Sequence, residues 1–190
     1  LDDDQDIDPS SQVSRTELLE QTITAEFVDP SDPDITFRLT SDNLINYSGS
    51  GANKGWYLDL LPPSLTAATA NGERIIADPL ARLERAIFTT FIPPGNPCDQ
   101  GGSSFLMELD TLSGALLDYA VFDVNGDGIL DALDLKDGVY ASGVSVPVTL
   151  APPIVISLSD PNQEAKLFSG AGGGTTTVIE AAGGISGRQS

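Results

Sequence analysis

The densest chemistry in the sequence lies in twelve residues, Asp123-Val124-Asn125-Gly126-Asp127-Gly128-Ile129-Leu130-Asp131-Ala132-Leu133-Asp134. Their oxygen donors fall at the spacing of a calcium loop. Asp123, Asn125 and Asp127 occupy positions 1, 3 and 5, and Gly128 at position 6 permits the sharp bend around an ion. Ile129 would offer its backbone carbonyl at position 7 while its side chain packs inward. Asp131 sits at position 9, directly or through water, and Asp134 closes the sphere at position 12. Calcium accepts six to eight hard oxygens at flexible distances, whereas magnesium demands a stricter octahedron, so Ca2+ is the expected cofactor. Position 12 is Asp rather than the usual Glu, so two-oxygen closure would require the backbone to come nearer. Asn-Gly and Asp-Gly turns alone would account for residues 125–128. A simple turn would not need acids at positions 1, 9 and 12 as well.

The elements that must position this loop are short. With 19 Gly and 13 Pro in 190 residues, the chain is interrupted too often for long helices. Ile35, Phe37 and Leu39 alternate with Thr36, Arg38 and Thr40, the pattern of a half-buried strand. Gly55–Leu60 repeats it. Further strands are expected at 74–77, 86–92, 105–109, 116–122, 144–150, 154–158, 165–169 and 176–180. Asn71-Gly72, Pro94-Gly95-Asn96-Pro97, Ser113-Gly114 and Asp160-Pro161-Asn162 supply turns between them. The fold class is therefore all-β, and the loop 123–134 is expected between strands rather than between two long helices. Residues 1–34 read as an acidic linker, with a dense run Asp2, Asp3, Asp4, Asp6 and Asp8, and Asp-Pro pairs along it. Within it, Leu18, Leu19, Ile23 and Phe27 suit a helical turn or a strand equally. The acidic run is a weaker candidate for a second cation.

One strand runs into a more specific turn, Phe105-Leu106-Met107-Glu108-Leu109-Asp110-Thr111-Leu112-Ser113-Gly114. An Asp side chain caps such a turn and Gly supplies the positive φ. Strand–turn–strand units of this kind recur in β-propeller blades. A blade takes roughly 40–50 residues, so 35–180 would supply about three, too few to close a propeller. The expectation is the C-terminal part of a longer one over 35–190, with a self-contained sandwich as the alternative.

Composition excludes several functions. Twenty-eight acidic residues against 9 basic ones give a net charge of −19, so no basic surface can be built for nucleic acid or anionic lipid. The absence of His removes the usual general base and most zinc sites. No apolar run approaches the roughly 18–20 residues of a membrane span. The glycine-containing loops Asn53-Lys54-Gly55 and 170–174 lack the phosphate-binding pattern. No carboxylates pair as acid and base, so no catalytic residue is assigned. The chain begins at Leu1 without Met or a signal-like core, and reads as a mature or excised fragment.

Taken in order, Lys54-Gly55-Trp56-Tyr57-Leu58-Asp59-Leu60, Gly72-Glu73-Arg74-Ile75-Ile76, Ile87-Phe88-Thr89-Thr90-Phe91-Ile92-Pro93, Asn96-Pro97-Cys98, Gly101–Asp110 and Phe122–Gly128 resemble the C-terminal part of the PilY family of type IV pilus proteins. The likeness covers roughly residues 40–135. It implies a modified β-propeller, placed outside the cytoplasm at the cell surface or pilus tip. It also implies minor pilins and the upstream part of the same propeller as partners, and roles in pilus assembly, adhesion and twitching motility with calcium as regulator. Among the candidate residues, only those of the calcium loop carry over individually. For an extracellular protein, the single Cys98 is expected to pair with a Cys outside this sequence, the alternative being a free thiol. Two other classes compete. A dockerin-like module would need two copies of the loop and one is present; a quinoprotein-type propeller enzyme would need a cofactor motif and none stands out.

Overall fold

The computed structural model describes residues 13–96, 101–147, 151–169 and 175–182. Cys98 and the acidic run Asp2–Asp8 lie outside them. Eleven strands form in chain order: β1 (Leu19–Val28), β2 (Thr36–Thr40), β3 (Trp56–Asp59), β4 (Arg74–Ile75), β5 (Leu80–Arg82) and β6 (Arg85–Phe91), then β7 (Ser104–Asp110), β8 (Gly143–Val146), β9 (Ile154–Ser157), β10 (Gln163–Ser169) and β11 (Thr175–Ala181). The all-β class is thus observed. Among the described residues, eight strands make one sheet in the order β3-β1-β2-β8-β7-β6-β4, with β5 also on β6. The remaining three make a second sheet, β11-β10-β9. Only β1 and β3 pair in parallel within the large sheet; its other pairings are antiparallel.

The large sheet is buried on both faces around its centre. One face carries Phe37, Leu39, Ile87, Leu106, Val144 and Val146, covered by Val121, Phe122 and Phe168. The other carries Phe88, Phe105, Met107 and Leu109, covered by Trp56, Leu58 and Leu60. Burial on both sides explains why β7 reads as a nearly continuous apolar run instead of an alternation. Each large apolar side chain so buried contributes roughly 1.5–3 kcal/mol before entropy is counted.

Several sequence expectations change here. Strand β2 is buried on both faces, because its polar side chains are satisfied internally. Arg38 lies 3.5 Å from the Phe105 ring centroid and donates to Glu26 at 2.7 Å and to both oxygens of Glu73 at 2.5 and 2.8 Å. Thr40 meets Ser142 at 2.7 Å. Residues 116–122 form no strand. The segment crosses the sheet face and buries Leu117, Val121 and Phe122, with its backbone held by isolated bonds to Ser41 and Ala181. Nor are residues 14–34 a linker, because β1 lies inside the large sheet and buries Gln21 and Ile23 at alternate positions. Strands β5 and β6 meet at a two-residue turn in which Leu83 and Glu84 both have positive φ (50° and 63°). Leu and Glu seldom adopt that conformation, so the turn gave no compositional signal.

The Asp-Thr-x-x-Gly turn forms as expected. Asp110 Oδ1 accepts from the amides of Leu112 and Ser113 and from the Ser113 hydroxyl. Gly114 takes φ 68°, and a Cβ there would sit 2.1 Å from Trp56. Trp56 Nε1 in turn donates to the Thr111 carbonyl at 3.0 Å. Glycine is therefore required twice over, by backbone conformation and by the ring stacked against it.

Candidate functional site

The loop 123–134 leaves the sheet face after buried Phe122 and Val124 and returns through a short 3-10 turn, Ala132–Asp134. Its shape follows from side chains turned onto their own backbone. Asp123 Oδ1 accepts the Gly126 amide and Oδ2 the Gly128 amide, each at 2.7 Å. Asn125 Oδ1 accepts from Asp127 N at 2.9 Å, and Asp127 Oδ1 from Ile129 N at 2.8 Å. These are consecutive Asx turns, which wind the segment tightly around Asp123. Gly126 and Gly128 have φ of 75° and 80°, the bend that the sequence assigned to position 6. Asp131 caps the 3-10 turn through Leu133 N at 2.7 Å, and Asp134 bonds back to the Asp131 amide at 2.9 Å.

Asp134 is the anchor. It is fully buried, and its Oδ1 also accepts the amides of Val124 (2.7 Å) and Asn125 (3.3 Å). Position 12 is thereby tied to positions 2, 3 and 9. Ser31, whose hydroxyl donates to buried Asp29 at 2.7 Å, lies 3.5 Å from where a Cβ on Gly126 would be. The β1–β2 connection therefore supports the loop from outside, a contact for which the sequence held no signal.

The donor types suit calcium. An ionised carboxylate offers about four lone pairs, so Asp123 and Asp134 keep acceptor capacity beyond their backbone bonds. Asn125 and the Ile129 carbonyl lie in the right order. Among the described residues, however, no three acidic side chains are gathered closely enough to hold a metal by themselves; they are engaged by backbone amides. The Ile129 side chain does not pack inward: it is 58% exposed. Half-buried Leu130 takes the inward position instead, since residues 125–129 project from the surface.

Beside the loop lies a cleft of about 590 Å³, lined among others by Ile129, Asp131, Tyr119, Tyr140 and Asp160. Burial pushes the Tyr119 phenol up to about 12. Behind Tyr119, where the two sheets meet, Arg85, Glu108, Glu164, Lys166 and Glu180 are all fully buried. In the sequence they were unremarkable, though a Glu inside the apolar run Phe105–Leu109 was a signal that could have been followed. No helix among the described residues is long and apolar enough to cross a membrane.

No family model matches the chain. It is 32% identical over 100 residues to the type IV pilus biogenesis factor PilY1 of Pseudomonas aeruginosa, which covers 51% of this chain and 8% of that protein. A PilY1 homolog of Xylella fastidiosa is 35% identical over 102 residues, 53% of this chain and 8% of that protein. The chain thus spans less than a tenth of these curated relatives. The crystal structure of the Pseudomonas aeruginosa PilY1 C-terminal domain matches with a TM-score of 0.68 at 23% identity, over 90% of this chain and 33% of that domain. The resemblance to the C-terminal region of the PilY family therefore holds in sequence and in fold.

Proposed function

We propose that this chain is a calcium-binding structural and interaction module of a type IV pilus biogenesis factor. The observation that carries the reading is the conjunction of the PilY1 likeness with a loop already wound through Asp123, Asn125, Asp127 and Asp134. Asp123, Asn125, Asp127, the Ile129 carbonyl, Asp131 and Asp134 are the ligands. Bound calcium would neutralise the crowded carboxylates and fix the cleft wall that Ile129 and Asp131 supply. In the whole protein the module completes a β-propeller with upstream blades, meets minor pilins at the surface-exposed pilus tip, and supports assembly, adhesion and twitching motility. Pilus biogenesis factors named among the relatives are not named as enzymes, and the role here is likewise non-catalytic.

Calorimetry tests the metal site directly. Folded protein should take up one calcium per chain at millimolar concentration or below, the range of extracellular modules. Asp123→Ala should abolish uptake, while Asp2→Ala in the acidic N-terminal run should not. The biological role is tested in cells by placing Asp123→Ala in the full-length protein. Impaired piliation and twitching with normal secretion support the reading, whereas unaltered pili despite abolished calcium uptake would separate the metal from the function.

A further inference from the structure

The two sheets are joined through an ionic core. Arg85 of β6 donates to Glu108 of β7 at 2.6 Å and, across the junction, to Glu164 of β10 at 2.5 Å and to the Ala181 carbonyl of β11 at 3.0 Å. Lys166 of β10 contacts Glu108, Glu164 (3.1 Å) and Glu180 of β11. Glu164 also receives half-exposed Arg82 of β5 at 3.3 Å. The distribution is uneven. Glu164 has three cations and Glu108 has two, while Glu180 shares one. Glu180 and Glu108 meet at the same Lys166 ammonium, so two buried carboxylates stand around one cation. Lys166 Nζ contacts Glu108 Oε1 and Glu180 Oε2, while Glu180 Oε1 has no hydrogen-bond partner among the described residues. Two buried carboxylates that share one ammonium, one of them with an unpartnered oxygen, form an arrangement that a single proton relieves.

We propose that Glu180 holds a buried proton, and that this proton latches the β9–β11 sheet onto the large sheet, so that the smaller sheet undocks when it is lost. The alternative, an ionised Glu180 in a fully buried junction, would rest on a single ammonium already shared with Glu108 and Glu164. Burial, then the neighbouring Glu108, raise Glu180 well above the usual carboxyl range, with Lys166 opposing. The other groups facing the pair set the limits. Burial works against the charge on Glu164, yet Lys166 and Arg85 hold it below its ordinary range. Tyr119, close enough for its phenol to feel Arg85, Glu108 and Glu164, remains neutral. Lys166 stays charged, since Glu108 and Glu180 overcome its burial.

The sign follows. An acid whose docked pKa exceeds its undocked value contributes fully below the undocked value, and the contribution is lost as pH rises toward the docked one. Glu164 acts oppositely, losing its contribution on strong acidification. Docking is thus firmest in mild acid and loosens toward alkaline pH.

Amide exchange measured against pH tests this, with each amide's protection corrected for its intrinsic rate. Protection of Lys166, Leu167 and Phe168 in β10 should fall relative to Leu106 and Met107 in β7, by up to about tenfold per pH unit. In Glu180→Gln, whose amide donates permanently, the relative fall should vanish. An equal fall in both proteins, or none in the wild type, overturns the proposal. Should Glu180→Gln not fold, carbon-13 titration of glutamate carboxyls in the wild type decides. One resonance titrating above the ordinary carboxyl range supports the latch, and all titrating within it refutes the latch.

Discussion

Asp134 Oδ1 accepts the amide of Val124 at 2.7 Å, which joins the twelfth residue of the loop to its second across a fully buried carboxylate. The loop is therefore closed by protein bonds, and its integrity and its metal affinity can be probed separately.

Asp134→Ala should cost on the order of 3–5 kcal/mol in urea denaturation even without calcium, because the amides of Val124, Asn125 and Asp131 all lose their acceptor. Asp134→Asn should cost less, about 1–3 kcal/mol, since only one of its two polar atoms can still accept.

Asp123→Ala should behave differently. With calcium bound as proposed, saturating metal should raise wild-type stability by RT ln(1 + [L]/Kd), about 2.7 kcal/mol at a hundredfold excess over Kd. The variant should show no such rise in melting temperature, and equal rises in both proteins would count against Asp123 as a ligand.

Gly114→Ala should destabilise by about 3 kcal/mol. The added Cβ would meet Trp56 at 2.1 Å, at a φ of 68° that alanine resists. The fluorescence of Trp56, the sole tryptophan of the chain, reports the displacement directly.

Arg38→Ala should cost about 3–5 kcal/mol, since Glu73 would be left with a buried and unpaired carboxylate. Arg38→Ala combined with Glu73→Gln should recover part of that loss in the same denaturation experiment.

Tyr119 should ionise late. Its phenol is pushed from 10.0 to about 12 by burial, so the fold favours the neutral ring, and stability falls as pH rises through that interval. Absorbance titration should show one of the four tyrosines lagging, and Tyr119→Phe should remove the lagging component.

The sequence carried the loop and most strands openly, because turn residues and apolar spacing act over a few positions. Asp110 and Gly114 announced their turn, and Asp123 through Gly128 their winding. What stayed hidden depends on distant partners. Residues 116–122 look like a strand, yet they lie across the sheet because β8, from far along the chain, has taken the neighbouring place. Arg38 and Glu108 look like solvent-facing alternates, yet each is enclosed with partners dozens of residues away, Glu73 and Lys166. Ile129 looks like a core residue, but the loop carries it outward.

The place of β8 has one more consequence. It lies between β2 and β7, pairing Phe37 with Val144, residues roughly a hundred positions apart. The large sheet cannot acquire its central strand until nearly the whole of its sequence is available. Closing so long a span before any contact rewards it makes folding slow. While the chain emerges stepwise, β2 and β7 wait with open edges, and a companion that shields them in that interval would govern how much of the protein reaches its native form.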